Sequence, residues 1–295
     1  MNKYLIFRTD RIGDFLLSAI LIKCIKRYEP SSCIKIVASE KNYDYIKTFN
    51  NIDHVFLLKK NIFEKVKLIN FLKKDNFKAI IIHDQKKRSS LISFFLKYEK
   101  IIKNKVDDND TYIDQLKKIL TSLNMKFQIN DLDILNFRNY NNKLNDRYVL
   151  FHFDEKWIHE KYIKEYTKIE PTKDELIIFF NLILKKTNKK LVISTGINPP
   201  KVLDDIFDNN VMPNISYMKN LTFIELENII SKSSILISCH GAVSHVAASL
   251  NIKQIDIIEE NKSFFYKKWT DHFRNYNSIG RINFKLLTKQ ILSLL

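Results

Sequence analysis

Short runs of β-branched and other apolar residues alternate with amphipathic stretches at helical spacing, and the alternation occurs twice along the chain. A strand pattern at Lys3–Arg8 is followed by Phe15, Leu16, Ala19, Ile22 and Ile25, which share one face of a helix over residues 14–28. The same reading predicts strands at 33–38, 54–58 and 78–83 and helices at 43–49, 62–73 and 88–96. Between residues 125 and 146 the periodicity collapses, and the Asn-rich stretch FRNYNNKLNDR reads as a linker. Alternation then resumes. Strands are predicted at 147–153, 191–195, 234–238 and 252–258, with helices at 173–186, 223–232, from Gly241 to Leu250 and at 284–295. Strand–helix alternation builds parallel sheets covered on both faces. The predicted fold is therefore α/β with two Rossmann-like domains, residues 1–140 and 147–295, facing each other across a cleft. Ligands of such sheets bind at the carboxyl ends of the strands, so the loops after the strands are where chemistry is expected.

Composition narrows the function. The net charge of +16 implies attraction to something anionic, or a solvated basic surface with no specific partner. Cys24, Cys33 and Cys239 show neither CxxC nor metal-ligand spacing; Cys24 and Cys33 sit in apolar contexts and read as buried thiols, and a reducing compartment fits. Arg8, Asp10, Arg11 and Asp14 interrupt the N-terminal apolar run, which excludes a signal-peptide core there, and no stretch approaches a membrane span. The expectation is a cytoplasmic protein. Walker A, GxGxxG, HExxH and GxSxG patterns are absent, against the usual NTPases, dehydrogenases, zinc proteases and esterases. Only 4 Gly occur, so each is expected where the backbone has no alternative.

Three loops carry candidate chemistry. In RTDRIGD, Asp14 either caps the following helix or acts as a general base at a strand's carboxyl end. In FHFDEKW, Lys156 is either a solvated charge or a phosphate contact. In ISCHGAVSHVAAS, Gly241 and Ala242 open a helix rich in small residues, as phosphate-binding turns do, with His240 and His245 nearby. Ser194-Thr195-Gly196 ends a strand as a donor loop or a simple turn, and His83 ends another, where it can face an acceptor. The acidic stretch DDNDTYID holds an Asp-x-Asp spacing, read as a cap for a helix from Thr111 onward rather than a metal site.

RTDRIGDFLLSAILIKCIKRYEPSSCIKIVAS resembles the opening of glycosyltransferase family 9, the heptosyltransferase-like enzymes. The resemblance implies a GT-B type fold with Asp14 as catalytic base and Gly13 giving backbone clearance. Arg8, Arg11 and His83 fall on the acceptor or cleft side. Ile20 stands where the family usually has Pro. FHFDEKW resembles the family's donor loop, which places Lys156 on the donor phosphates, and Thr195, Gly196, His240, Gly241, Ala242 and His245 join it as the donor set. The family reads roughly Asp-(Ser/Thr)-Gly with a His three residues on. This chain has Cys239-His240-Gly241 and then His245, four residues after the Gly.

The implied activity is inverting, metal-independent transfer of heptose or another sugar, without a cofactor. The donor would be a nucleotide sugar and the acceptor a lipopolysaccharide, another glycolipid or a polysaccharide. The implied location is the cytoplasm, peripheral to an anionic membrane face, with no nucleic acid as partner. Two alternatives stay open: a sugar-nucleotide epimerase on the same fold, and a non-enzymatic protein that binds anions or nucleic acid.

Overall fold

A computed structural model of the chain describes residues 1–104, 107, 109–135, 147–208, 212 and 215–295. The chain divides into two units, Met1–Ile134 and Leu135–Leu295. Residues 137–146 of the expected linker, and Asp108 of the Asp-x-Asp spacing, lie outside the described residues.

The first unit runs β1 (Lys3–Arg8), α1 (Ile12–Tyr28), β2 (Cys33–Ala38), α2 (Tyr43–Ile46), β3 (His54–Leu57), α3 (Ile62–Leu72), β4 (Asn76–Ile82), α4 (Lys87–Phe94), β5 (Lys97–Lys103) and α5 (Tyr112–Ser122). Its strands form one parallel sheet in the order β3-β2-β1-β4-β5. Tyr4, Leu5, Ile6 and Phe7 are all wholly buried, as expected of a central strand with helices on both faces. On one face Leu68 and Leu72 of α3 and Ile92 of α4 pack over Leu5, Phe7, Ile80 and Ile82.

The second unit runs β6 (Tyr148–His152), α6 (Lys173–Thr187), β7 (Leu191–Ser194), α7 (Lys201–Phe207), β8 (Ser216–Met218), α8 (Phe223–Lys232), β9 (Ser233–Cys239), α9 (Ala242–Ser249), β10 (Lys253–Ile258), α10 (Ser263–Thr270), β11 (Tyr276–Gly280) and α11 (Phe284–Leu294). Its sheet is parallel in the order β11-β10-β9-β6-β7-β8. An aromatic core anchors the β6 end: Phe151 lies 4.9 Å from Trp157 and 5.3 Å from Phe179, and Phe153 stacks on Trp157 at 5.2 Å.

The glycine expectation is corrected by the backbone. None of the glycines lies in the left-handed region of φ. Left-handed positions are filled by Asn124, Asn188, Asn220, Asn251 and Asn275, whose short side chains tolerate that region, and by Gln85 and Glu160. Gln85 follows β4 and Glu160 lies in the loop after β6, the two loops that border the candidate sites.

Candidate functional site

Each sheet reverses its winding once, between β1 and β4 in the first unit and between β6 and β9 in the second. At such a point the loops leaving the two strands diverge to opposite faces and open a crevice at the carboxyl ends. All three candidate loops, and His83, leave one of these four strands.

In the first unit, α1 begins at Ile12, two residues earlier than expected, so Gly13 and Asp14 belong to its first turn. Asp14 Oδ2 accepts from the Arg11 backbone N–H at 3.0 Å. The carboxylate thus caps the helix with one oxygen, and it is half-buried. Arg8 is buried at the end of β1, where Nε donates to Ser18 Oγ at 2.7 Å and Nη1 to Asp10 at 3.1 Å, while Nη2 has no hydrogen-bond partner among the described residues. Ser18 Oγ also meets His83 Nδ1 at 2.8 Å. Burial, with the Arg8 charge adding to it, pushes the His83 pKa well below its ordinary value, so this imidazole is neutral. Asp84, next in the chain, accepts from Thr9 Oγ1 at 2.6 Å and Ser89 Oγ at 2.7 Å, tying the β1 and β4 loops together. Tyr112, at the start of α5, has its phenol pushed up to about 12 by burial and then by the Asp14 charge.

In the second unit, Asp154 caps the single turn Glu155–Trp157 by accepting from the Lys156 N–H at 3.1 Å, and its carboxylate also pairs with the Lys156 ammonium. Burial opposes both charges, but the ion pair outweighs it. Asp154 titrates well below the usual carboxylate range and Lys156 above its usual value, so both stay charged. An ammonium carries three N–H donors, which leaves Lys156 capacity beyond Asp154. A Cβ placed on Gly241 would sit 2.9 Å from Lys156 Nζ. The ammonium therefore rests against the backbone at the start of α9, and a larger residue there could be seated only by shifting the flexible end of Lys156. The Gly241 φ of 179° is one any residue adopts.

Around this contact, Thr195 Oγ1 is buried without a hydrogen-bond partner among the described residues, and a Cβ on Gly196 would meet Glu155 Oε2 at 3.1 Å. His240 Nδ1 lies 2.6 Å from Asp256, whereas His245 is packed behind, 5.1 Å from the Phe273 ring. Burial, then the neighbouring His240 and His272, lowers the His245 pKa well below its ordinary value. Trp157 is wholly buried and donates to the His152 carbonyl at 3.0 Å, so it supports the loop from the core.

The structure thus brings Arg8 and His83 together through Ser18, and Lys156 together with Gly241. Sequence reasoning missed Arg281, which is buried after β11 and donates to the Lys156 carbonyl at 2.5 Å and the Thr167 carbonyl at 3.2 Å. It also missed Asp256, although an acid inside the apolar strand of residues 252–258 was a visible signal. Thr111 and Asp114 form a reciprocal cap at the start of α5, the role expected of that acidic stretch.

Neither a family model nor a curated protein matches the chain. Solved structures do. E. coli heptosyltransferase WaaC with ADP superposes with a TM-score of 0.71 at 11% identity, covering 99% of this chain and 100% of that one. The glycosyl transferase family 9 structure from Veillonella parvula DSM 2008 gives 0.67 at 12%, covering 100% and 93%. A putative UDP-N-acetylglucosamine 2-epimerase from Listeria monocytogenes gives 0.58 at 13%, covering 99% and 87%. At these identities the likeness shows the fold, which is α/β of the GT-B type.

Proposed function

We propose that the chain is an inverting, metal-independent glycosyltransferase that moves a sugar from a nucleotide-sugar donor to a surface-glycan or glycolipid acceptor. The observation that carries this reading is the Lys156 ammonium resting on the Gly241 backbone at the start of α9. A fixed positive charge beside the N-terminus of a helix is a site for a diphosphate. The structural neighbours include a heptosyltransferase with ADP bound, which supports such a donor. On the other side of the reaction, Asp14 lies in the first turn of α1 with the Arg11 N–H on its carboxylate, and in this reading Arg8, Arg11, Gly13 and His83 belong to the acceptor side. The second unit would hold the donor through Lys156, Thr195, Gly196, His240, Gly241, Ala242 and His245. Domain limits of 1–140 and 147–295 remain part of this proposal.

In this mechanism Asp14 takes the proton of the acceptor hydroxyl as it attacks the anomeric carbon. Lys156 and the α9 N-terminus stabilise the departing nucleoside diphosphate. A thermal-shift screen across nucleotide sugars tests the donor, since a ligand at about 100 times its dissociation constant stabilises by ~2.7 kcal/mol. The hit is then incubated with and without candidate acceptors. Sugar release that requires an acceptor supports transfer, and conversion of the donor alone indicates the epimerase reading that the weaker structural neighbours keep in view. No stabilisation by any nucleotide sugar sinks both.

Peripheral membrane docking belongs to the same proposal. Among the described residues no helix is long and apolar enough to cross a membrane. The N-terminal ends of α3 and α4 lie at the carboxyl edge of the first sheet, as their connections require. There Phe63 is 73% exposed and Leu91 65%, with Ile62 and Val66 also exposed. Lys59, Lys60, Lys86, Lys87 and Arg88 flank these segments in the sequence. Basic residues near an anionic surface contribute on the order of 1 kcal/mol each, and the exposed apolar side chains can enter the headgroup layer. The protein should co-sediment with anionic liposomes at low salt and lose most of that binding at high salt, because screening acts within about 8 Å at physiological ionic strength. Equal recovery with neutral vesicles, or none at low salt, refutes this part.

A further inference from the structure

We infer that His240, held by Asp256, is a proton donor to the departing diphosphate, which makes Asp256 its positioning residue. The inference rests on the donor-site reading above.

Asp256 lies inside β10 and is wholly buried. Its Oδ2 receives His240 Nδ1 at 2.6 Å and the Tyr276 hydroxyl at 3.1 Å, and its Oδ1 accepts from Ser244 Oγ at 2.9 Å. Ser244 in turn accepts from the Gly241 N–H at 3.2 Å. A buried carboxylate met by this many donors is satisfied only as the anion, and an anion at 2.6 Å requires the proton on Nδ1. Ring orientation and tautomer are thereby set. Among the described residues Nε2 has no hydrogen-bond partner, and the side chain keeps 12% of its surface exposed. Tyr266 closes the other side, its ring 5.0 Å from that of His240. His240 immediately precedes Gly241, on whose backbone the Lys156 ammonium rests. An anion bound to that ammonium and to the start of α9 is therefore next to His240 along the chain, and Nε2, the ring nitrogen turned away from Asp256, is the atom assigned to it.

The step balances as follows. The acceptor oxygen forms a bond to the anomeric carbon and its proton passes to Asp14. The bond from that carbon to the phosphate oxygen breaks, leaving its electron pair on the oxygen. Nε2 of the imidazolium gives its proton to the phosphate, and His240 is left neutral with Nδ1–H still on Asp256. Solvent restores the proton after the nucleotide leaves.

The groups facing His240 are Asp256 from β10, Tyr276 from β11, Tyr266 from α10 and His245 from α9, with Lys156 and Arg281 on the flanking loops. Burial keeps His245 neutral and pushes the Cys239 thiol up to about 12, so neither supplies the proton. ADP and UDP are titrated calorimetrically into wild type, His240→Gln and Asp256→Asn between about pH 5.5 and 8.5, the range in which imidazole changes charge. Buffers of two ionisation enthalpies give the protons taken up. The diphosphate itself titrates in this range, so the readout is the difference between wild type and His240→Gln, whose amide reaches the Nε2 position without a proton to give. Wild type should bind about 10- to 150-fold more tightly than His240→Gln at the acid end, converge with it at the alkaline end, and take up more protons on binding. Asp256→Asn should reduce the tightening and the proton uptake at the acid end while leaving affinity at the alkaline end unchanged, a pH-selective loss that a merely structural role would not cause. If wild type and His240→Gln bind with the same pH dependence, His240 is no proton donor and the donor site stands without it. If wild type binds neither nucleotide at any pH, the donor-site reading falls as well.

Discussion

Replacing Asp14 with Asn should lower sugar transfer by about 10²–10⁴-fold, the usual worth of a general base, while fold and nucleotide affinity stay intact. The structure makes this substitution informative because Asp14 has two separable duties. Its Oδ2 accepts from the Arg11 N–H at 3.0 Å, in the first turn of α1. An Asn side chain offers a carbonyl oxygen for that bond, so the helix start is kept and only the proton-accepting charge is lost. Loss of the anion at a helix N-terminus costs about 0.3–1 kcal/mol, too little to unfold the unit. Asp14→Ala removes both functions, and its extra loss of stability measures the cap alone. Transfer rates come from acceptor-dependent sugar release, and folding from thermal melts of the same preparations. Full turnover in a folded Asp14→Asn protein reduces the residue to a helix cap. Tyr112 is the internal check. Its phenol is pushed up by burial and then by the Asp14 charge, so Asp14→Asn should let it titrate at lower pH, visible by ultraviolet absorbance.

What could be read from the sequence followed burial. Central strands β1, β2, β4, β6, β9 and β10 are covered on both faces, and their apolar runs gave boundaries within two residues of those observed. The strands that escaped, β5, β8 and β11, are all sheet edges. β5 is KYEKIIK, whose first four residues are exposed, and β8 has 3 residues. An edge strand is held by backbone pairing on one side only, so its side chains need not declare it. Helices α7 and α10 were missed with their strands. Helix 43–49 shrank to α2, Tyr43–Ile46, with Lys47 to Phe49 forming turns.

The candidate sites divide in the same way. Asp14, Lys156 and Gly241 were visible because each is a rare or charged residue beside an apolar strand. Arg281 was not, since its contact with Lys156 spans 125 residues of sequence and follows an edge strand with a weak pattern. Glu259 is similar: it is buried and accepts from Thr167 N and Oγ1 at 2.9 and 2.6 Å, a tie that has meaning only after folding.

Lys156→Ala should weaken nucleoside diphosphate binding about 10- to 150-fold, the equivalent of roughly 1.5–3 kcal/mol for a charge-assisted contact, and EDTA should leave binding unchanged. The ammonium is positioned from three sides. Asp154 pairs with it, Arg281 donates to its own backbone carbonyl at 2.5 Å, and the Tyr162 ring lies 5.6 Å away. Simple truncation carries a second effect, because it leaves the buried Asp154 carboxylate without its cation, with only the backbone N–H of residue 156 at 3.1 Å and His152 Nε2 at 3.6 Å. Removing one partner of a buried pair costs on the order of 3–5 kcal/mol of stability, which can mimic a loss of affinity. The double variant Asp154→Asn, Lys156→Met leaves no orphan charge, and calorimetry on it isolates the phosphate contact. Gly241→Ala gives an independent route to the same atom. Its φ of 179° suits alanine, so the backbone is not strained, but the new Cβ would lie 2.9 Å from Nζ and must push the ammonium aside. Weaker nucleotide binding with an unchanged melting temperature is therefore expected of Gly241→Ala. Unaltered affinity in both the double variant and Gly241→Ala would place the diphosphate elsewhere, and a strict need for magnesium or manganese would replace Lys156 with a metal as the stabiliser of the leaving group.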